Sequence, residues 1–344
     1  MIKIVADSAV PFLEGVFEPY AEIVYKEGLG ICREDILDAD ALIIRTRTKC
    51  NRELLEGTKV KIIATATIGT DHIDTEYCHD AGIYVRNASG CNAGGVMNYV
   101  FSALYGTASR ASINLNGLTI GIIGVGSVGS RVETMARALG FKVLLNDPPR
   151  EAVEGPGAFC PLDYLLENSD IVTMHVPLLA ENRKMANADF FARMKDGAFF
   201  INAARGEIVD EDALIEAVPK LGPVILDTWD HEPSINQRLM TVVDVATPHI
   251  AGYSYQGKQN GTAMAVRSIA RFFSIEELYD FYPQTDVETM GAVKLEFHGK
   301  TQGEIAAMFQ YNYPIFTDDF MFRMNPGGFE ELRTNYRYRK EFYV

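Results

Sequence analysis

LTIGIIGVGSVGSRVETMARALGFKVLLND, residues 118–147, reads as a strand, a tight glycine turn, a helix and a second strand. Thr119 to Ile123 is an uncharged, largely β-branched run suited to a strand buried on both faces. Gly124-Val125-Gly126-Ser127-Val128-Gly129 follows, a G-x-G-x-x-G placed where a strand hands over to a helix. Gly124 permits the turn, Gly126 lets backbone approach a pyrophosphate, and Gly129 lets helix and strand pack closely. The helix from Ser127 to Leu139 aims its free N–H groups, those of Ser127 and Val128 among them, and its positive end at that phosphate. Phe141 to Leu145 makes the second strand, and Asp147 closes it. A carboxylate there accepts hydrogen bonds from the adenosine ribose hydroxyls and repels a 2′-phosphate. The expected cofactor is NAD rather than NADP.

The surrounding composition bounds the rest. A chain of 344 residues has room for two or three domains. A formal charge of −14 and a pI near 4.9 argue against nucleic acid as a partner, while leaving an anionic substrate possible through local arginines. MIKIVADS reads as a strand rather than a leader, and no apolar run approaches the roughly 18 residues of a membrane span. The five cysteines are scattered without C-x-x-C spacing, as free thiols of a reducing cytoplasm would be. A cytoplasmic protein without membrane, metal or nucleic-acid partners is expected.

Upstream of the fingerprint, strands are expected at Ile2–Ala6, Ala41–Arg45, Lys61–Thr65 and Ile83–Arg86, with helices at Asn51–Leu55 and Asp74–His79 between them. Two strand-end loops there suit an anion: Arg45-Thr46-Arg47-Thr48-Lys49, and Thr67-Ile68-Gly69-Thr70-Asp71, whose glycine lets backbone N–H groups turn inward. A solvated charged loop is the competing reading of the first. A long small-residue helix, Cys91–Ser109, leads into the nucleotide domain. Beyond Asp147, strands are expected at Ile171–Met174, Ala198–Ile201, Val224–Leu226 and Val242–Ala246, completing a doubly wound parallel sheet. The expected domains are a substrate domain over 1–95, completed by about 257–280, a NAD-binding domain over 96–256 and a C-terminal dimerisation domain over 283–344. The last rests on Phe309, Tyr311, Tyr313, Phe316, Phe320 and Phe322, an aromatic run too apolar for a small appendage to bury alone.

Three strand-end loops carry the chemistry. Asn202-Ala203-Ala204-Arg205-Gly206 offers an arginine that can grip a carboxylate through two N–H bonds. Asp227-Thr228-Trp229-Asp230-His231-Glu232-Pro233 and Thr247-Pro248-His249-Ile250-Ala251-Gly252 follow the next two strands. Strand-end loops of one parallel sheet converge, so Arg205, Glu232 and His249 are the candidate catalytic set, with His249 the proton acceptor. His175 is its rival, although no arginine or glutamate neighbours it in sequence; His72, His79, His231 and His298 read as loop, surface or tail residues.

Fingerprint, Asp147, NAARG, DTWDHEP and TPHIAG in this order resemble the D-isomer-specific 2-hydroxyacid dehydrogenases over nearly the whole chain. GTDHID, CNAGGVMNYVFSAL, LLNDPPR, TPHIAGYSYQGKQNGT and the tail GGFEELRTNYRYRKEF sharpen the resemblance towards members that take a phosphorylated 2-hydroxy acid. Asn98, where the family often has glutamate, and Thr46, where serine is common, depart from it. The resemblance implies a doubly wound domain of Rossmann type, a flavodoxin-like substrate domain, NAD-dependent oxidation and a homodimer. It places Thr46, Thr67 and Tyr253 around the substrate, and Thr173, Ala203, Asp227 and Gly252 along the cofactor, beside Ala204. Arg45 is the expected phosphate ligand, ahead of Arg47, Lys49 and the tail arginines Arg333, Arg337 and Arg339. Two alternatives stay open: another dehydrogenase of the family, such as one acting on phosphoglycerate, and a non-catalytic NAD(H)-sensing protein of the corepressor kind.

Overall fold

Residues 1–284 and 291–344 are described by the computed structural model, which divides into two units, each built on a parallel sheet. Residues 285–290, within the expected C-terminal domain, lie outside the described residues. The first unit comprises Met1–Asn92 and Ser254–Gly291. Its strands are β1 (Ile2–Asp7), β2 (Ala21–Lys26), β3 (Ala41–Ile44), β4 (Ile62–Thr65) and β5 (Tyr84–Asn87), in the order β2-β1-β3-β4-β5. This is the flavodoxin-like order. Strand periodicity assigns the layers. Ile4, Ala6, Ile43 and Ala64 pack with Val266 and Ile269 of the helix Tyr255–Phe273, while Val5, Leu42, Ile44 and Ile63 face Ile36 and Leu54. Strand β2 escapes the sequence analysis because it is an edge strand: only Ala21 is buried, and Glu22 and Lys26 are exposed.

The second unit comprises Ala93–Tyr253 and Ala292–Val344. Strands β6 (Thr119–Ile123), β7 (Lys142–Asn146), β8 (Ile171–Met174), β9 (Phe199–Asn202), β10 (Val224–Leu226) and β11 (Val245–Ala246) run in the order β11-β10-β9-β8-β6-β7. Every neighbouring pair is parallel. The chain leaves β6 for β7 on one side and then crosses to β8 on the other, so the topological switch point lies between β6 and β8. Strand β11 is shorter than the expected Val242–Ala246. Asn236 caps a helix over Gln237–Val242 by accepting the Leu239 N–H, and buried Leu239 and Met240 keep that turn helical. The helix Ala93–Ala111 is buried along all of Ala93 to Ala108, as its apolar character on every side requires.

The C-terminal helices Gln302–Asn312, Ile315–Met324 and Phe329–Thr334 pack within this unit. The Phe309 ring lies 5.1 Å from those of Tyr105 and Phe342, and Phe322 lies 6.1 Å from Trp229. Asp319 accepts the Ala246 N–H at 2.8 Å, and Arg323 donates to the Met240 and Val243 carbonyls, so this segment covers the β11 edge. Phe309, Tyr313 and Phe322 are therefore buried in their own unit, whereas Tyr311 and Phe320 stay exposed beside Met321 and Met324.

Candidate active site

The turn after β6 is built for close approach. Gly124 has φ +84°, and a Cβ there would meet the His175 and Val176 backbone at 2.8 Å. A Cβ on Gly129 would stand 2.1 Å from the Gly124 carbonyl oxygen, whereas one on Gly126 would meet nothing within 4 Å. The helix Ser127–Ala138 starts after Gly126, which has no side chain to cap its first N–H groups. These features fit a dinucleotide pyrophosphate at the β6/β8 switch point. Asp147 accepts the Val125 N–H at 2.7 Å and the Arg150 N–H at 3.0 Å, which fixes its carboxylate beside the turn. Arg150, a nearby cation that could welcome a 2′-phosphate, is held by Glu154 at 2.6 and 2.8 Å and by the Val125 carbonyl at 2.7 Å. Thr173 lies at the end of β8, with its hydroxyl 3.0 Å from His175 Nε2.

The loops after β9, β10 and β11 meet as the strand order dictates. Gly206 sits so close to the next loop that a Cβ would fall 1.8 Å from the Trp229 carbonyl carbon. That contact brings the Arg205 loop against the Glu232 loop. Asn202 shapes the Arg205 loop from within, accepting the Ala204 N–H and donating to the Arg205 carbonyl. Glu232 accepts the Trp229 N–H on one oxygen at 2.9 Å and faces His249 Nδ1 with the other at 2.7 Å. Burial opposes the charge on Glu232, yet His249, the Trp229 N–H and Arg333 outweigh it and hold the carboxyl below its ordinary range. An ionised carboxylate only accepts, so Nδ1 carries the hydrogen and Nε2 of the neutral ring keeps its lone pair.

His249 has φ +55°, a left-handed conformation that costs a side-chain-bearing residue on the order of 1–2 kcal/mol. Asp227 imposes it. The Asp227 carbonyl accepts the His249 N–H at 2.7 Å, and its buried carboxylate accepts the N–H groups of Ile250 and Ala251 and the Thr247 hydroxyl at 2.7–2.9 Å. Those three bonds of the carboxylate all run to the loop that carries His249. By contrast, desolvation pushes the rival His175 down to about 3, and its Nε2 faces the Thr173 hydroxyl rather than a carboxylate. The pairing favours His249 as the proton acceptor.

Tyr253 follows that loop, its N–H bonded to the Ile250 carbonyl. Ala203, Ala204 and Gly252 are half-buried at the ends of their loops. In the first unit, Arg45 is half-buried directly after β3 and donates to the Ala9 carbonyl at 3.0 Å, with Thr46 exposed beside it. Thr67 bonds the Thr65 hydroxyl at 2.7 Å, and Gly69 lies in the same loop after β4. The hydrogen bonds of Trp229, Asn202 and Thr247 order these loops, a role that the motifs alone do not announce. A lone tryptophan between Asp227 and Glu232 was the available signal for the first.

Residues 100–251 match the model of the D-isomer specific 2-hydroxyacid dehydrogenase NAD binding domain. Over 347 residues the chain is 44% identical to erythronate-4-phosphate dehydrogenase of Bacteroides thetaiotaomicron, covering 99% of this chain and 97% of that protein. Identity to the enzyme of the same name from Salmonella paratyphi B is 38%, covering 99% and 92%. Among solved structures, NAD+-bound 3-phosphoglycerate dehydrogenase from Entamoeba histolytica is similar with a TM-score of 0.68 at 28% identity, covering 81% of this chain and 98% of that one.

Proposed function

The chain belongs to the erythronate-4-phosphate dehydrogenases, and we propose that it oxidises 4-phospho-D-erythronate to 2-oxo-3-hydroxy-4-phosphobutanoate with NAD. The resemblance assigns this step to pyridoxal phosphate (vitamin B6) biosynthesis. The observation that carries the reading is the 2.7 Å contact between His249 Nδ1 and Glu232, which leaves Nε2 free to act as a base. Bound NAD supplies the hydride acceptor. His249 Nε2 takes the proton of the C2 hydroxyl, and Glu232 stabilises the resulting imidazolium. Arg205 binds the substrate carboxylate and polarises the developing carbonyl. Incubating the protein with NAD and a panel of 4-phospho-D-erythronate, D-erythronate and 3-phosphoglycerate tests this by NADH absorbance. Turnover confined to 3-phosphoglycerate would refute the substrate assignment.

For the cofactor, we propose that Gly124, Gly126, Ser127, Val128 and Gly129 hold the pyrophosphate, and Asp147 the ribose. Thr173, Ala203, Ala204, Asp227 and Gly252 complete that surface, Asp227 through the loop it orders. NAD is expected to be preferred over NADP by at least about 1.4 kcal/mol, a factor of ten, because Arg150 is already paired with Glu154. Equal kcat/KM for the two cofactors would show that Asp147 does not read the ribose.

We further propose that Arg45, Thr46, Thr67, Gly69 and Tyr253 bind substrate, with Arg45 on the terminal phosphate. Arg45→Ala is expected to raise KM for 4-phospho-D-erythronate far more than for D-erythronate. An equal effect on both would assign Arg45 to the shape of its loop. The exposed Tyr311, Phe320, Met321 and Met324 support a homodimer formed through the C-terminal helices.

A further inference from the structure

Among the charged groups that act on Glu232, Arg333 has no part in the chemistry above. It lies on the C-terminal helix Phe329–Thr334, with its side chain 17% exposed. One terminal nitrogen donates to Glu330 at 3.0 Å. The guanidinium carbon lies 5.9 Å from the Tyr253 ring centroid and 5.5 Å from that of Phe329. Its Nε is buried and has no hydrogen-bond partner among the described residues. A buried cation is costly unless its charge is used.

The tail around it is fixed and closes on Tyr253. The rings of Tyr336 and Tyr338 meet Tyr253 edge-on at 5.8 and 6.3 Å, and the Arg339 N–H points at the Tyr253 carbonyl at 3.5 Å. Arg339 donates to Asp318 and to the Tyr336 hydroxyl, each at 2.7 Å, and Tyr336 donates to Asp318 at 2.8 Å. Arg333 is thereby presented to two site groups from a segment distant in sequence.

We propose that Arg333 is a positioning residue of the active site, seating the Tyr253 ring and standing as a fixed cation behind the Glu232–His249 pair. The inference rests on the dehydrogenase reading for its substrate. The physical need is specific to the base form of the enzyme. While His249 is neutral and ready to take a proton, it gives Glu232 a hydrogen bond but no positive charge. Burial still opposes ionisation of Glu232, and the Trp229 N–H and the charge of Arg333 then remain to oppose burial. The groups facing this pair are His249 and Arg333 on Glu232, Asp227 on His249, and Glu330 and Tyr253 on Arg333. A planar guanidinium can act on the carboxylate while lying against a tyrosine ring; an ammonium keeps only the charge.

Removing the cation raises the proton affinity of the Glu232–His249 pair, so the active base form appears only at higher pH. Arg333→Gln is expected to move the acid limb of kcat/KM upward by roughly half a unit to one unit, which lowers kcat/KM about three- to ten-fold at pH values below the limb. Arg333→Lys should keep the wild-type limb and raise KM, because the charge survives and the seat of Tyr253 does not. Arg193→Gln, the same charge change at an exposed position, should leave both unchanged. Trp229 fluorescence during unfolding checks that each variant is folded. An Arg333→Gln enzyme with the wild-type limb, or an Arg333→Lys enzyme with the limb of Arg333→Gln, overturns the proposal. If the wild type fails to oxidise 4-phospho-D-erythronate, the functional reading fails by itself. Titration of the Glu232–His249 pair, followed through the imidazole Cε1–H resonance in wild type and Arg333→Gln, then still decides the inference: an upward shift supports it and coincident curves refute it.

Discussion

His249→Ala is expected to lower turnover by ~10²–10⁴, the range of a positioned general base, while NADH binding stays within about two-fold of wild type. The separation follows from geometry. The imidazole is held by Glu232 on one nitrogen and keeps the other for the reacting hydroxyl, whereas the glycine turn and Asp147 sit at the opposite side of the switch point, after β6 and β7. His175→Ala is the matched control. Its ring bonds Thr173, and desolvation pushes it down to about 3, so the ring is uncharged at neutral pH. Removing it should disturb cofactor binding more than turnover. Stopped-flow NADH formation with separate fluorescence titration of NADH checks both variants. Loss of turnover in His175→Ala with activity kept in His249→Ala would reverse the assignment.

Asp227→Ala should be the most damaging substitution outside the reacting groups. It orphans the buried amides of Ile250 and Ala251 at about 1–3 kcal/mol each, a loss of roughly 2–6 kcal/mol before the Thr247 hydroxyl is counted. Against a typical stability of about 5–15 kcal/mol, that is a large share. The left-handed conformation of His249 also loses its clamp, so turnover should fall further than the folded fraction does. The protein's one tryptophan is a local probe, since Trp229 is buried and its indole N–H donates to the Thr247 carbonyl. Unfolding followed by Trp229 emission, with activity measured on the folded protein, separates the two losses. A wild-type midpoint would mean that the Asp227 bonds are replaceable.

The fingerprint was legible because its apolar run, its glycines and its carboxylate each have one physical job, and β6 forms over the expected Thr119–Ile123. Buried parallel strands such as β8 and β10 also match their apolar runs residue for residue. Edge elements were harder. Strand β2 is half exposed and carries charge, and β11 yields most of its expected length to a helix capped by Asn236. The aromatic run of the tail gave no sign of which rings turn inward. That depends on the helix Ala93–Ala111 and on Trp229, which offer Phe309 and Phe322 their partners from far away in the chain.

The candidate site shows the same division. Glu232 and His249 were readable as strand-end residues with complementary chemistry, and the 2.7 Å contact joins them. Asp227 was read through resemblance as a cofactor residue, while its carboxylate bonds the His249 loop, a role that depends on backbone N–H directions absent from a sequence. Gly206 followed Arg205 in plain view, but only the approach of the Trp229 backbone explains why a glycine stands there. Arg333 carried no local signal beyond its charge.

Deuterium tracing tests the central claim most directly. The wild-type protein is incubated with NAD and 4-phospho-D-erythronate deuterated at C2, and the reduced cofactor is analysed by mass spectrometry and proton NMR. One deuterium per NADH is expected at nicotinamide C4, with a 2-oxo acid phosphate formed in equal amount. Reduced cofactor lacking deuterium, or none formed beside active 3-phosphoglycerate turnover, would contradict it.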